Sequence, residues 1–222
     1  MNIEIQAIAK KYRKKTVLRE ITFSAHSGQC IGILGSNGSG KSTLLSILAG
    51  IQKCDSGKFL YEGKDLFQYP QQRSELVGYV PQGTPLIEEL NAWDNLSLWY
   101  DTAALKDALK NGFLSMLGIS DFLKLPVAKM SGGMKKRLSI GCAIAKHPPL
   151  LLLDEPMAAL DLACKQNILS YLRQHKAAGG IIFLATHDAL ELELCDAWYI
   201  IKDGVLVPFS YDGNLEAVVK SL

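Results

Sequence analysis

The sequence predicts an α/β fold with a mostly parallel sheet, an antiparallel β element at its start and a helical subdomain set into the core. Three observations predict it. Short apolar runs flanked by glycine or polar turns alternate with longer helical patterns, as strands joined by crossover helices do. The opening residues alternate apolar and polar side chains, the pattern of half-buried antiparallel strands. Between Pro85 and Lys129 strand-like runs disappear and helical spacing takes over.

Taken in order, Ile3 to Ile8 and Val17 to Ser24 are the amphipathic strands, joined by a basic turn from Lys10 to Lys15 and extended by Gly57 to Tyr61. Cys30 to Leu34, Val77 to Val80, Leu150 to Leu153 and Ile181 to Ala185 are short and rich in Ile, Leu and Val, as strands buried on both faces must be. Leu90 to Tyr100 and Leu105 to Leu117 carry helical periodicity, so a helical subdomain is expected over about residues 83–146. Asp203-Gly204, between Trp198 to Ile201 and Val205 to Val207, predicts a closing hairpin, because both turn positions want positive φ. Without internal repeats or a long linker, residues 1–222 read as one domain.

Composition narrows the partners. With 48% hydrophobic residues the chain can build a substantial core, and 24 basic against 22 acidic residues leave a formal charge of only +2. No global field therefore argues for nucleic acid, which is not expected as a partner. Five scattered cysteines without a C-x-x-C pair suit a reducing compartment. The start lacks the apolar stretch of a secretory signal, and no run approaches the roughly 18 apolar residues of a membrane-spanning helix. Any membrane role must use a partner's span.

Gly35-Ser36-Asn37-Gly38-Ser39-Gly40-Lys41-Ser42-Thr43 fits G-x-x-x-x-G-K-[ST], directly after an apolar strand and before the helical run Leu44 to Ala49. The pattern makes the core that of a P-loop NTPase. Its glycines let backbone N–H groups close around a polyphosphate, and the helix that follows adds the positive end of its dipole. Lys41 is expected on the outer phosphates and Ser42 on magnesium, so a nucleoside triphosphate and Mg²⁺ are the expected ligands. The loop alone also serves kinases, GTPases, helicases and recombinases.

Leu150 to Pro156 reads as a buried strand delivering two successive acids to its end. Adjacent residues point in opposite directions, so Asp154 is placed to hold the magnesium shell and Glu155 to polarise a water for attack on the γ-phosphate.

Ser131-Gly132-Gly133-Met134-Lys135-Lys136-Arg137 opens an amphipathic helix just upstream of the acidic strand, a second anion-seeking helix tip. Here the chain resembles the ABC ATPase family, whose signature is usually Leu-Ser-Gly-Gly-Gln. The resemblance covers nearly the whole chain and implies further roles. Tyr12 resembles the aromatic residue that stacks on adenine. Gln82, in Tyr79-Val80-Pro81-Gln82, resembles the Q-loop glutamine that reaches the metal and the reacting water. Asp161 resembles the D-loop aspartate, and His187, after Ala185-Thr186, the switch histidine at the γ-phosphate. Met130 and Met134 depart from the usual leucine and glutamine; methionine at 134 resembles the exporter-type branch with short cassettes.

The resemblance implies an ATP-hydrolysing subunit that pairs with a second cassette, as homodimer or heterodimer. The Ser131 segment of one copy then covers the ATP held by the other. It further implies a separate transmembrane permease, docked near Leu86, Ile87, Trp93, Leu98 and Trp99, and a cytoplasmic location peripheral to the inner face of the cell membrane. A soluble member without a permease, such as the iron–sulfur cluster assembly type, shares every motif. A P-loop kinase or GTPase does not account for Ser131 or His187, and no guanine-reading Asn-Lys-x-Asp segment is present.

Overall fold

The computed structural model describes residues 1–221. Its chain opens with β1 (Asn2–Tyr12) and β2 (Lys15–His26), followed by β3 (Cys30–Leu34) and α1 (Lys41–Ala49). Next come β4 (Ser56–Tyr61), β5 (Lys64–Asp65), α2 (Pro70–Leu76) and β6 (Val77–Val80). A helical stretch follows, with α3 (Ala92–Ser97), α4 (Thr102–Lys110), α5 (Phe113–Met116) and α6 (Gly132–Ala143). The chain then alternates through β7 (Leu150–Asp154), α7 (Leu162–Ala177), β8 (Ile181–Ala185) and α8 (Ala189–Leu192). It closes with β9 (Ala197–Lys202), β10 (Val205–Phe209) and α9 (Leu215–Ser221).

Two sheets result. One is antiparallel, in the order β2-β1-β4-β5; the other runs β10-β9-β3-β8-β7-β6 and is parallel except for β10. In the parallel sheet the core strands are buried on both faces, and alternate residues feed two different cores. Leu151, Leu153, Ile182 and Leu184 pack with the helices, whereas Leu150, Leu152, Ile181 and Phe183 pack with α1 and the antiparallel sheet. Edge-on contact between Phe23 and Phe183, 5.1 Å between ring centres, joins the two sheets. Apolar residues on both faces leave these strands nowhere to go but the middle of the molecule.

Parallel pairing puts the carboxyl ends of β3, β6, β7 and β8 along one edge, which is where open α/β sheets bind ligands. The register carries this to single residues, with Val80 beside Leu153, Leu153 beside Leu184, and Asp154 beside Ala185. Among the described residues no helix is long and apolar enough to cross a membrane.

Some elements differ from the sequence expectation. The helix expected from Leu105 to Leu117 is two helices broken at Asn111-Gly112, where Gly112 takes an extended conformation and ends the ladder. The run from Leu90 to Tyr100 is helical only over α3, because Asn91 caps it by accepting from Asp94 N–H at 2.9 Å. The basic turn shrinks to Arg13-Lys14, since β1 continues to Tyr12 and β2 begins at Lys15.

Candidate functional site

The phosphate loop is shaped by two glycines with positive φ at its ends. Gly35, at φ 152°, has no room for a Cβ, which would lie 2.9 Å from the Ile201 carbonyl. Gly40, at φ 116°, lies against β2, where a Cβ would come within 2.8 Å of Leu18 Cδ2. The chain can turn here only without side chains. Lys41, 6% exposed, folds back beneath the loop and donates to the Gly35 carbonyl at 2.6 Å and the Ser36 carbonyl at 3.3 Å. Burial pushes its ammonium pKa down, and Glu155 and Asp154 oppose the shift. At the start of α1 the first N–H groups have no partner within the helix and face the loop's concavity.

The two acids have different surroundings. Asp154 is 2% exposed and lies beside Ser42, whose hydroxyl hydrogen-bonds to it. Burial raises its pKa; Ser42, Lys41 and Lys136 pull it back. Its Oδ2 is buried and finds no hydrogen-bond partner among the described residues. Glu155 takes a left-handed backbone, φ 48°, while its N–H donates to the Ala185 carbonyl at 2.9 Å and so extends the β7–β8 ladder. A non-glycine residue in that conformation is strained. The kink turns its carboxylate toward Gln82, whose Nε2 donates to Glu155 Oε2 at 3.2 Å, and toward His187, whose Nε2 lies 3.8 Å from Oε1. Burial and Lys41 push the His187 imidazole pKa down, favouring the neutral form, with Glu155 opposing.

A cleft of about 300 Å³ opens among these groups, lined by phosphate-loop residues between Asn37 and Thr43 together with Val17, Gln82 and Glu155. Residues after four strands thus meet at one place: the loop after β3, Gln82 after β6, Asp154 and Glu155 at β7, and His187 after β8. Other sequence candidates lie outside it. Tyr12, exposed at the end of β1, donates its hydroxyl to Gln52 Oε1 and carries the Lys10 amine 5.4 Å from its ring centre. Ser131 caps α6 by accepting from Met134 N–H at 3.3 Å; Ser131 and Gly132 are exposed. A Cβ on Gly133 would stand 3.3 Å from the Ala159 carbonyl, so this helix tip abuts the loop before Asp161. Asp161 caps α7, accepting from Cys164 N–H at 2.8 Å.

Two buried charged residues behind the cleft escaped the sequence reading. Lys136, 4% exposed on α6, donates to the carbonyls of Pro81 and Gln82. Glu191, 1% exposed on α8, accepts from Met157 N–H at 3.0 Å and hydrogen-bonds the Thr186 hydroxyl, tying the segment of His187 to the turn after Glu155. Each is a charged residue at an inward helical position among leucines and isoleucines, and that clash of residue type with periodicity was the available signal.

Comparison with known proteins agrees with this geometry. The family model described as ABC transporter matches residues 18–158. The linearmycin resistance ATP-binding protein LnrL of Bacillus subtilis (strain 168) is 33% identical over 210 residues, which span 92% of this chain and 68% of that one. The lantibiotic transport ATP-binding protein SrtF of Streptococcus pyogenes is 31% identical over 218 residues, 96% of this chain and 94% of that one. Among solved structures, an ATP-binding subunit of an ABC transporter superposes with a TM-score of 0.88 at 25% identity, covering 100% of this chain and 99% of its own. The dimeric post-hydrolysis state of the ATP-binding cassette MJ0796, bound to ADP and Pi, gives 0.81 at 25% identity over 92% of this chain and 96% of that one. A phosphate loop, an acidic strand end and a serine-glycine helix tip on a shared fold have one common explanation: the chain belongs to the ABC transporter family, as its ATP-binding, ATP-hydrolysing subunit.

Proposed function

We propose that the chain works as a pair of cassettes whose ATP-driven closure energises a separate transmembrane permease, which holds the pair at the cytoplasmic face of the membrane. One observation carries this reading. Asp154 and Glu155 meet the phosphate loop in one cleft, while the Ser131 tip stands exposed outside it. A helix tip suited to an anion that is exposed and lies outside its own chain's cleft is placed to complete the site of a second copy.

Within the cleft, the loop from Gly35 to Thr43 cradles the phosphates with its N–H groups, and Lys41 swings from the Gly35 carbonyl to the outer phosphates. Tyr12 receives the adenine on its exposed ring. The unpaired Oδ2 of Asp154 beside the Ser42 hydroxyl is a hard oxygen pair of the kind that holds Mg²⁺, with Gln82 as a third oxygen donor. When bound, the ion neutralises charge on the outer phosphates. Glu155 orients and polarises the attacking water, which Gln82 steadies, and neutral His187 donates to the γ-phosphate. Ser131, Gly132, Gly133 and Asp161 serve the neighbouring copy's nucleotide. Loss of the bridging γ-phosphate removes the preference for the closed pair, so hydrolysis becomes motion.

An apolar groove of about 430 Å³ suits the permease's cytoplasmic helix. Leu86, Ile87, Leu98 and Trp99 line it, with Ile51 at its rim, and the last two of the first four are 59% and 53% exposed. Trp93 packs instead into the core beneath the helices.

Glu155→Gln tests the reading. The variant is expected to bind ATP, to run as a dimer in light scattering only when ATP is present, and to release phosphate at least about a hundredfold more slowly. Wild-type turnover would refute the role of Glu155, and a monomer with ATP bound would refute the closure.

A further inference from the structure

We propose that Lys136 is a positioning residue that holds the backbone of Pro81 and Gln82 to α6, and so makes the placement of Gln82 against Glu155 depend on the helix whose tip meets the second copy. The inference rests on the reading of Glu155 as the group that activates water.

Three consecutive basic residues leave the first turns of α6 in three directions, because successive residues are about 100° apart on a helix. Lys135 forms a surface ion pair with Glu88 at 3.1 Å. Arg137 donates to the Leu117 carbonyl at 2.9 Å and lies over the Phe122 ring, 5.0 Å from its centre, so it serves the helical stretch itself. Lys136 alone points inward, to the back of the cleft. Its Nζ donates to the Pro81 carbonyl at 2.9 Å and to the Gln82 carbonyl at 3.2 Å.

A cation in that position is costly unless something compensates for lost water. Two carbonyl oxygens accept from it directly, and the carboxylates of Asp154, Glu155 and Glu191 oppose the downward push of burial on its pKa. A neutral amide would satisfy the carbonyls but leave those acids without their shared counter-charge. The residue type therefore answers two demands at once, a long donor and a positive charge.

The consequence lies in the connections. Ser131 caps α6, and Lys136 stands on the same rigid helix. From its Nζ the chain of contacts runs to the carbonyl of Gln82, and from Gln82 Nε2 to Glu155 Oε2 at 3.2 Å. When the Ser131 tip is drawn onto the nucleotide of the second copy, α6 carries residues 81 and 82 with it. That movement shifts Gln82 relative to Glu155, which ties hydrolysis in one copy to engagement of the other.

The test uses the purified full chain with Lys136→Met, which keeps the reach but neither donor nor charge, and Lys136→Arg, which keeps both. Steady-state hydrolysis is expected to show kcat lowered about tenfold to a hundredfold in the methionine variant, with KM for ATP within about threefold and kcat largely restored by arginine. A role confined to folding would lower melting temperature, kcat and apparent affinity together. A folded Lys136→Met chain with wild-type kcat overturns the proposal, as does a loss that falls on KM. Should Lys136→Met not fold, Lys136→Ala, which also removes donor and charge, replaces it; a lowered kcat with unchanged KM supports the proposal, and wild-type kcat overturns it. Measuring Glu155→Gln alongside separates the two readings. If that variant is inactive and Lys136→Met is normal, only the positioning role fails; if Glu155→Gln turns over normally, the underlying reading fails first.

Discussion

Glu191 accepts the Met157 N–H at 3.0 Å and hydrogen-bonds Thr186, yet burial pushes its pKa from 4.5 to about 7, with Asp188 adding to the rise and Lys165 opposing it. Asp188 is itself held low by Lys165, 2.6 Å away, so the negative neighbour persists through this range. A carboxyl that is easier to protonate in the folded chain than in the unfolded one stabilises the fold below pH 4.5. That contribution is lost as pH rises through about 7. Urea unfolding between pH 5 and 8 should therefore show wild type losing up to roughly 3 kcal/mol relative to Glu191→Gln, whose amide does not titrate. A difference that stays flat with pH would show that the carboxyl does not titrate where its burial requires. Lys136 and Glu191 left one signal in the sequence, a charge at an inward helical position, and its meaning shows only once the partner loops, distant in sequence, converge on it.

Elements owe their limits to local chemistry that the sequence displays plainly. Buried strands such as β7 and β8 are apolar at every position except Asp154, and the aspartates and asparagine that begin α3, α4, α7 and α8 each accept an N–H from the first turn. Asp101, which caps α4 through Ala104 N–H at 2.8 Å, does not line the cleft. Asp101→Ala should cost about 1 kcal/mol in chemical denaturation and leave ATP turnover unchanged; a fall in kcat would mean that α4 takes part in the cycle. Periodicity was the weaker guide. It ran straight across Asn111-Gly112, because a helical pattern of leucines continues on both sides of a break that only the glycine's extended backbone enforces. The 16 residues of α7 carried no reading of their own, since only part of one face, with Ile168, Leu169 and Leu172, is buried against the sheet.

Across the whole molecule, one parallel sheet separates two cores, and the helical stretch carries two exposed features, the Ser131 tip and the Trp99 groove. In the proposed function these give the cassette one surface for a second copy and another for a permease. A photo-crosslinking residue at Trp99 should capture an integral membrane protein in native membranes, and one at Asn2, on the antiparallel sheet, should not. Membrane-bound cassette that captures nothing at Trp99 would remove the groove from the coupling route.

What the sequence by itself determined is the nucleotide site's list of parts. A phosphate loop after an apolar strand and paired acids at a strand end are local patterns written in consecutive residues, whereas the glutamine and histidine beyond two other strands came only with the resemblance to a family. The tertiary structure alone decided which parts share a cleft and which face outward. It also decided that an inward lysine and a buried glutamate tie the loops together from behind. Those facts depend on strand order and on contacts between residues far apart in the chain, such as Lys136 with Pro81 and Met157 with Glu191. Burial, which shifts the pKa of both groups, down for Lys136 and up for Glu191, exists only after the sheet has closed around them.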